Sequence, residues 1–375
     1  MLRWVRGGAR TAGVDGRRSR LTWGASSAPD IVVGMNLALV TDGLPAGWSS
    51  RDPDERDIAP LAMLRAAVTR AATGSGSPDV DAVQSEITGV GSWSRRQVVL
   101  VDERGVVRAW AAAHDRAAGH TLLQVTIDPD LADDVADSLA AQLFRWCEDA
   151  ARTFNALRRA TTTQLDTGAY EGDPRQQRWL EAAGFACARR WLQMSRPVTP
   201  GETAHPELQE GVTIRRVRRR VNGNPLAVDV QAVHWVLETS FEDHFNAYRE
   251  TFAEFVNRLQ EDPGHAWDQW WLATVRDELG NDMPAGAVVC TMLNPDGDDT
   301  YGSYIDYIGV HRDARGRGIA KGLLRTVVAD TARRERNRVG LEVDADSPTG
   351  ADGLYRAMGW ETAYITQSWH RDVSF

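Results

Sequence analysis

The residues with the clearest chemical potential run from 308 to 323, as Ile308-Gly309-Val310-His311-Arg312-Asp313-Ala314-Arg315-Gly316-Arg317-Gly318-Ile319-Ala320-Lys321-Gly322-Leu323. This stretch passes from a strand pattern through a glycine-rich turn into a helix pattern, which makes it an anion site by construction. The first turn of a helix has four backbone N–H groups without intrahelical partners, and the macrodipole adds roughly half a positive charge at that end. Gly316 and Gly318 remove the Cβ atoms that would keep a diphosphate off those N–H groups, while Arg315, Arg317 and Lys321 add cationic charge. The spacing is neither the GxxxxGK[ST] of a Walker A loop nor the GxGxxG with a later acidic ribose ligand of a dinucleotide site.

What the segment does match is [RQ]-x-x-G-x-[GA] after a strand, and in that form it resembles the coenzyme A pyrophosphate loop of the Gcn5-related N-acetyltransferase (GNAT) superfamily. A second stretch resembles the family's strand followed by an LY-xxx-G[FW] helix: Leu341-Glu-Val-Asp-Ala-Asp346, then Leu354-Tyr355 and Gly359-Trp360. The resemblance implies acetyl-coenzyme A as cosubstrate and acyl transfer to the primary amine of a small molecule; the wide spacing of the three cysteines separately argues for no metal. It implies cofactor contacts from Ile308, Gly309 and Val310 on the strand, from Arg315, Gly316, Arg317, Gly318, Ile319, Ala320 and Lys321 on the loop, and from Ser347. Ser347-Pro348 stands where relatives commonly carry an Asn. Tyr355 takes the place of the tyrosine that protonates the departing thiolate. Its plain alternative is a tyrosine packed under the sheet.

The attacking amine must lose a proton, so a base or a water relay has to face the thioester. Many relatives place a Glu for this at the position of Tyr304. Asp306 lies two residues on, hence on the same face of a period-2 strand, and is the candidate for base or amine anchor. Ser240-Phe241-Glu242-Asp243-His244-Phe245 resembles the FxDHW-type segment of tandem bacterial relatives. Glu242, Asp243 and His244 are accordingly candidates, with Tyr304, for holding the amine. Capping and solvation at a helix end is the other reading of that His-Asp pair.

The elements that must position these residues read twice through one order, which predicts two tandem α/β folds, each a mixed sheet covered by helices. The first pass has a helix over 58–72, a strand pair over 96–102 and 105–114, a strand over 122–127, a helix over 132–158, a short helix over 175–183 and a strand over 185–194. Pro-rich residues 196–206 connect the passes. The second has a strand over 212–217, helices over 225–240 and 247–259, strands over 270–276, 285–293 and 304–310, a helix over 319–336, a strand over 340–343, a short helix over 351–357 and a strand over 360–369. The resulting plan is a basic arm over 1–34, a degenerate GNAT-like domain over 35–195, a linker over 196–211 and a catalytic domain over 212–375. Degeneracy is inferred from laying 123–138 on 306–321, which puts Asp133 in the place of Gly316 and Val135 in that of Gly318; Leu180 likewise replaces Tyr355. Closest in character are tandem enzymes similar to mycothiol synthase. The competing class is a non-catalytic acyl-coenzyme A sensor or pseudoenzyme.

Composition narrows the classes. The chain has 375 residues, 42% of them hydrophobic and 25% charged, with a formal net charge of −9. A net negative chain argues against general nucleic-acid binding, which runs on excess Lys and Arg. No apolar run reaches the roughly 18 residues a membrane span needs. Residues 1–24 carry six arginines against Asp15 alone and show no apolar periodicity, the description of a disordered arm. Cys147, Cys187 and Cys290 lie far apart without metal-ligand spacing, so they read as thiols of a reducing cytoplasm. The expected protein is cytoplasmic and a monomer or homodimer, with a small-molecule amine as its partner.

Overall fold

Both passes fold as α/β layers in a computed structural model that describes residues 39–116, 119–241, 250–295, 300–346 and 350–375. The expected arm over 1–34 and the candidates Glu242, Asp243, His244 and Ser347 lie outside the described residues. The first pass comprises β1 (Ser49–Arg51), α1 (Ile58–Thr73), α2 (Val80–Ile87), β2 (Arg95–Val101), β3 (Val107–Asp115), β4 (His120–Ile127), α3 (Asp133–Arg158), β5 (Thr162–Tyr170), α4 (Pro174–Ala182) and β6 (Ala186–Pro197). The second comprises β7 (Val212–Arg216), α5 (Ala227–Ser240), α6 (Phe252–Gln260), β8 (His265–Arg276), β9 (Asp282–Leu293), β10 (Gly302–Val310), α7 (Ile319–Arg333), β11 (Arg338–Asp344), α8 (Ala351–Ala357) and β12 (Glu361–Ser374). Among the described residues no helix is long and apolar enough to cross a membrane.

The strands join in one 12-stranded sheet of order β1-β2-β3-β4-β5-β12-β6-β11-β10-β9-β8-β7. The two halves therefore exchange their last strands. β12 from the C-terminal half pairs antiparallel with β5, and β6 from the N-terminal half pairs antiparallel with β11. The exchanged strands also pair with each other, from Glu361↔Ser195 to His370↔Ala186. β6 continues through Arg196 and Pro197, both in register with β11, so the strand runs past the expected boundary at 195.

Period-2 alternation sends side chains to cores on both sheet faces. In β3, Ala109, Ala111 and Ala113 pack with Leu139, Leu143 and Cys147 of α3, while Trp110 between them packs with Leu61 and Leu64 of α1. In the C-terminal half Ile319, Leu323 and Val327 of α7 and Tyr355 of α8 cover one face, and Val233 and Leu237 of α5 with Phe255 of α6 cover the other. Close approach fixes α7. A Cβ on Gly286 of β9 would lie 2.6 Å from Ile319 Cγ2 and 3.2 Å from Leu323 Cδ1, so the first turn of α7 rests directly on the sheet.

Three elements have no counterpart in the sequence reading: β1, α2 and β5. β5 turns Thr163, Leu165, Thr167 and Ala169 inward, and short or hydroxylic inner residues blur the apolar alternation. The Thr163 hydroxyl is satisfied by donating to Gly119 O, which is what permits its burial. The helix expected over 247–259 begins at Phe252, where Thr251 and Glu254 form a reciprocal capping box. α7 stops at Arg333, short of the expected 336, ahead of Glu335 with φ at +56°.

Candidate active site

The site begins with a wedge in the sheet. β10 and β11 run parallel and pair only over Ser303↔Val339, Tyr304↔Gly340 and Ile305↔Leu341. Beyond Ile305 β10 keeps its antiparallel partner β9 as far as Val310↔Gly286, but its other edge no longer pairs with β11. The parting coincides with a β-bulge between Ile305 and Tyr307, in which Asp306 is the inserted residue. Side-chain placement records the shift: Ile305 packs in the core under α7, whereas Tyr307 packs in the core under α6. The edge of β10 that faces β11 is therefore outside the strand ladder beyond Ile305, and an extended chain could add to an edge of this kind by backbone hydrogen bonds.

At the mouth of this wedge the loop from Val310 reaches α7. His311 Nδ1 accepts from the Asp313 backbone N–H at 3.3 Å, which shapes a short 3-10 turn over Arg312–Ala314. Gly316 and Gly318 then adopt φ of +79° and +71°, the left-handed region that glycine enters without strain. Gly318 is the N-cap of α7, and no side chain caps the first turn. A Cβ on Gly316 would meet nothing within 4 Å, and one on Gly318 would meet only the Gln209 side chain at 3.7 Å. Arg315, Gly316, Arg317, Gly318 and Lys321 are exposed, and Ile319 is buried beneath them. Among the described residues Arg317 and Lys321 have no ion-pair partner. The residues present fit a diphosphate: backbone donors, an open approach and exposed cations at a helix N-terminus. Gly309 differs from its expected part, because a Cβ there would lie 2.9 Å from Ser240 Cβ and Oγ. Its missing side chain serves the packing of α5, so only its backbone can face a cofactor.

Tyr355 stands on α8 and belongs to the same core cluster as Ala314 of the loop and Ile319 of α7. It is buried among Leu323, Val343 and Trp360, with ring centroids of Tyr355 and Trp360 6.2 Å apart. Burial pushes its hydroxyl up to about 12, so it keeps its proton throughout the neutral range. Tyr304 and Asp306 both line a cavity of about 190 Å³ that opens between the two halves, together with Tyr307 and Glu342. Alternation puts Asp306 on the side of Tyr304, and the bulge turns Tyr307 to that side as well. Tyr304 Oη donates to Gln193 Oε1 at 3.5 Å, and Gln193 Nε2 donates to Glu342 Oε2 at 3.0 Å and Thr366 Oγ1 at 2.9 Å. Gln193 comes from β6, so strand exchange places an N-terminal residue against the C-terminal site.

The rest of the cavity wall is a set of residues that the sequence reading did not single out. Arg65 of α1 is held bidentately by Glu86 of α2, at 3.0 and 2.7 Å. Arg258 of α6 is held bidentately by Glu250 and donates to Tyr307 Oη at 2.6 Å. Arg95 and His114 of the N-terminal half meet Glu261 of the C-terminal half at 3.1 and 3.7 Å. A cysteine pair or a glycine loop announces itself by spacing. These arginines and acids converge from elements far apart in the chain, and only the buried ion pairs reveal them.

The equivalent corner of the N-terminal half is built differently from the expected overlay. β4 and α3 are joined by residues 128–132 and β10 and α7 by 311–318, so the first loop is three residues shorter. The helix starts set Ala132 opposite Gly318 and Asp133 opposite Ile319, in place of Asp133 opposite Gly316 and Val135 opposite Gly318. The turn is also filled. Arg175 donates to Pro129 O at 2.9 Å and Leu131 O at 3.2 Å, with its Nε 3.2 Å from Asp133. Asp133 and Asp134 already complement the helix N-terminus, which leaves neither room nor charge there for a diphosphate.

The sequence profile of the acetyltransferase (GNAT) family matches residues 231–360, which span this wedge, loop and Tyr355. No curated protein sequence matches the chain. Among solved structures, a GCN5-related N-acetyltransferase from Sphaerobacter thermophilus is similar at TM-score 0.68 and 23% identity, over 88% of this chain and 98% of that one. A tandem GNAT protein from the clavulanic acid biosynthesis pathway is similar at TM-score 0.60 and 14% identity, over 87% and 98%. The Saccharomyces cerevisiae N-myristoyltransferase solved with bound myristoyl-CoA shares the fold at TM-score 0.52 and 10% identity, over 88% and 81%. At these identities the likeness is one of fold.

Proposed function

We propose that residues 231–360, which match the acetyltransferase (GNAT) family profile, form a working domain of that kind, and that the chain transfers an acetyl group from acetyl-coenzyme A to the primary amine of a small molecule. The observation that carries this reading is the meeting of two features at the β10–β11 wedge. On one side stands an open, cationic helix N-terminus with a protonated, buried tyrosine; on the other is a small cavity whose wall includes Asp306. The loop binds the diphosphate and the wedge receives the pantetheine arm. The amine nitrogen attacks the thioester carbon and forms a C–N bond. Asp306 takes the proton that the nitrogen sheds, and Tyr355 gives its proton to the sulfur as the C–S bond breaks. The cofactor leaves as the free thiol.

Release of that thiol, followed with acetyl-coenzyme A and a panel of small primary amines, tests the reading. Release is expected to depend on the amine, and calorimetry is expected to return one acetyl-coenzyme A site per chain, because only the second half keeps an open cradle. Two equivalent sites, or release indifferent to every amine, would overturn it.

The role of Asp306 is separable by pH. As base, Asp306→Asn slows turnover near neutrality and recovers as pH rises and free amine becomes abundant. As anchor, the same change raises the acceptor KM, and higher pH does not restore it. Initial rates at several acceptor concentrations between pH 6.5 and 9.5 decide between the two.

A further inference from the structure

The wall that β2 and β3 contribute to the cavity is more cationic than its acids balance. Arg95 and His114 are register partners across these strands, so their side chains share one face, and Arg116 follows two residues after His114. The other lining arginines, Arg65 and Arg258, each hold a bidentate carboxylate of their own. By contrast Glu261 alone serves both Arg95 and His114, and among the described residues Arg116 meets no carboxylate. Two buried polar atoms on this wall, Arg95 Nε and His114 Nδ1, have no hydrogen-bond partner among the described residues. A buried polar atom left unmatched costs free energy until something fills its demand. Desolvation, together with the positive charges of Arg95, Arg116 and Arg258, drives the His114 pKa well below its ordinary value. The ring is neutral, so Glu261 balances Arg95, and Arg116 is the surplus cation of this wall.

We infer that the amine acceptor also carries an anionic group, which Arg116 and Arg95 hold against the N-terminal wall while Asp306 meets the amine. This deepens the proposed acetyl transfer and rests on it. It also gives the N-terminal half, whose own loop is closed by Arg175, a part in choosing the substrate. A cavity of about 190 Å³ limits that acceptor to a small molecule, such as an amine with one carboxylate or phosphate.

The test uses matched pairs: an amine bearing a carboxylate against its carboxamide, and one bearing a phosphate against its alcohol. With the full chain and acetyl-coenzyme A, the anionic member of at least one pair is expected to show a kcat/KM about 10–100-fold above its neutral counterpart, the usual worth of a hydrogen bond to a charged group. Arg116→Gln should collapse that ratio through the KM of the anionic member, and Arg116→Lys should keep most of it. Because both members are read in the same variant, a general loss of fold lowers both and leaves the ratio alone. Equal turnover of both members in every pair, or an Arg116→Gln ratio equal to wild type, overturns the inference. If no member is acetylated, the proposed transfer fails, and calorimetry of the same pairs with coenzyme A present still decides this point. Tighter binding of an anionic member that Arg116→Gln abolishes upholds the anion site; binding without that difference, or none, refutes it.

Discussion

Tyr355→Phe is expected to lower kcat about 10²–10⁴-fold with little change in the KM for acetyl-coenzyme A, measured as thiol release at saturating amine. The ring is buried against Trp360 and the α7 core, and phenylalanine fills the same volume, so the fold should persist. What is lost is one hydroxyl proton. Burial raises that hydroxyl to about 12, so at neutral pH it is always available to a thiolate that forms as the C–S bond breaks. The interaction exists mainly in the transition state, and its loss therefore appears in kcat and not in ground-state binding. The sign of the pH dependence follows. The residue acts in its protonated form, which is complete below its pKa and lost only as pH passes about 12, so it adds no limb to the kcat profile between pH 6 and 10. A phenylalanine variant with wild-type kcat would withdraw the acid role and leave the cofactor loop as the assigned site.

How much of this site was legible in the sequence depends on whether the feature is local. The loop from Arg315 to Lys321 is one turn and one helix start, so its glycines and cations announce it directly, and both left-handed glycines fall where the pattern asks for them. The long helices α3 and α7 and most strands follow from apolar periodicity. Alternation along a regular strand puts Asp306 on the face of Tyr304, and both line the cavity; what alternation does not display is the bulge that turns Tyr307 to that face as well. The overlay of the two halves failed by three residues because it carried the strand register across a loop of different length, and loops are where such registers slip. The exchange of β6 and β12 was invisible, since either strand satisfies either slot by pattern alone and the choice is made by long-range pairing. Arg95, His114 and Arg116 give no local signal for a related reason: separate charged residues at or near strand ends look like solvated surface until two halves close on them.

Gly318→Asp carries the other large expected effect, loss of acetyl-coenzyme A binding by at least about 100-fold in Kd with the fold retained. Gly318 is the N-cap of α7 at φ +71°, and a non-glycine residue there costs roughly 1–2 kcal/mol, a cost that Asp bears better than most. Space is not the obstacle, since the nearest atoms to a new Cβ belong to the flexible Gln209 side chain at 3.7 and 3.9 Å. The obstacle is charge. A carboxylate about 4 Å from a diphosphate oxygen repels it by about 4 kcal/mol per unit charge at an effective dielectric of about 20, and solvent at this exposed loop reduces that without cancelling it. Gly318→Ala supplies the control, because it adds the Cβ and the backbone strain without the charge, and its affinity should fall between wild type and Gly318→Asp. Asp133→Ala in the first turn of α3 should leave affinity unchanged, because that helix start lies behind the shorter, Arg175-filled loop. Calorimetric titration of the four proteins, with thermal melts to confirm folding, reads all of these at once. Unchanged affinity in Gly318→Asp would remove the cradle from the site, whereas loss in Asp133→Ala would move the cofactor to the N-terminal half.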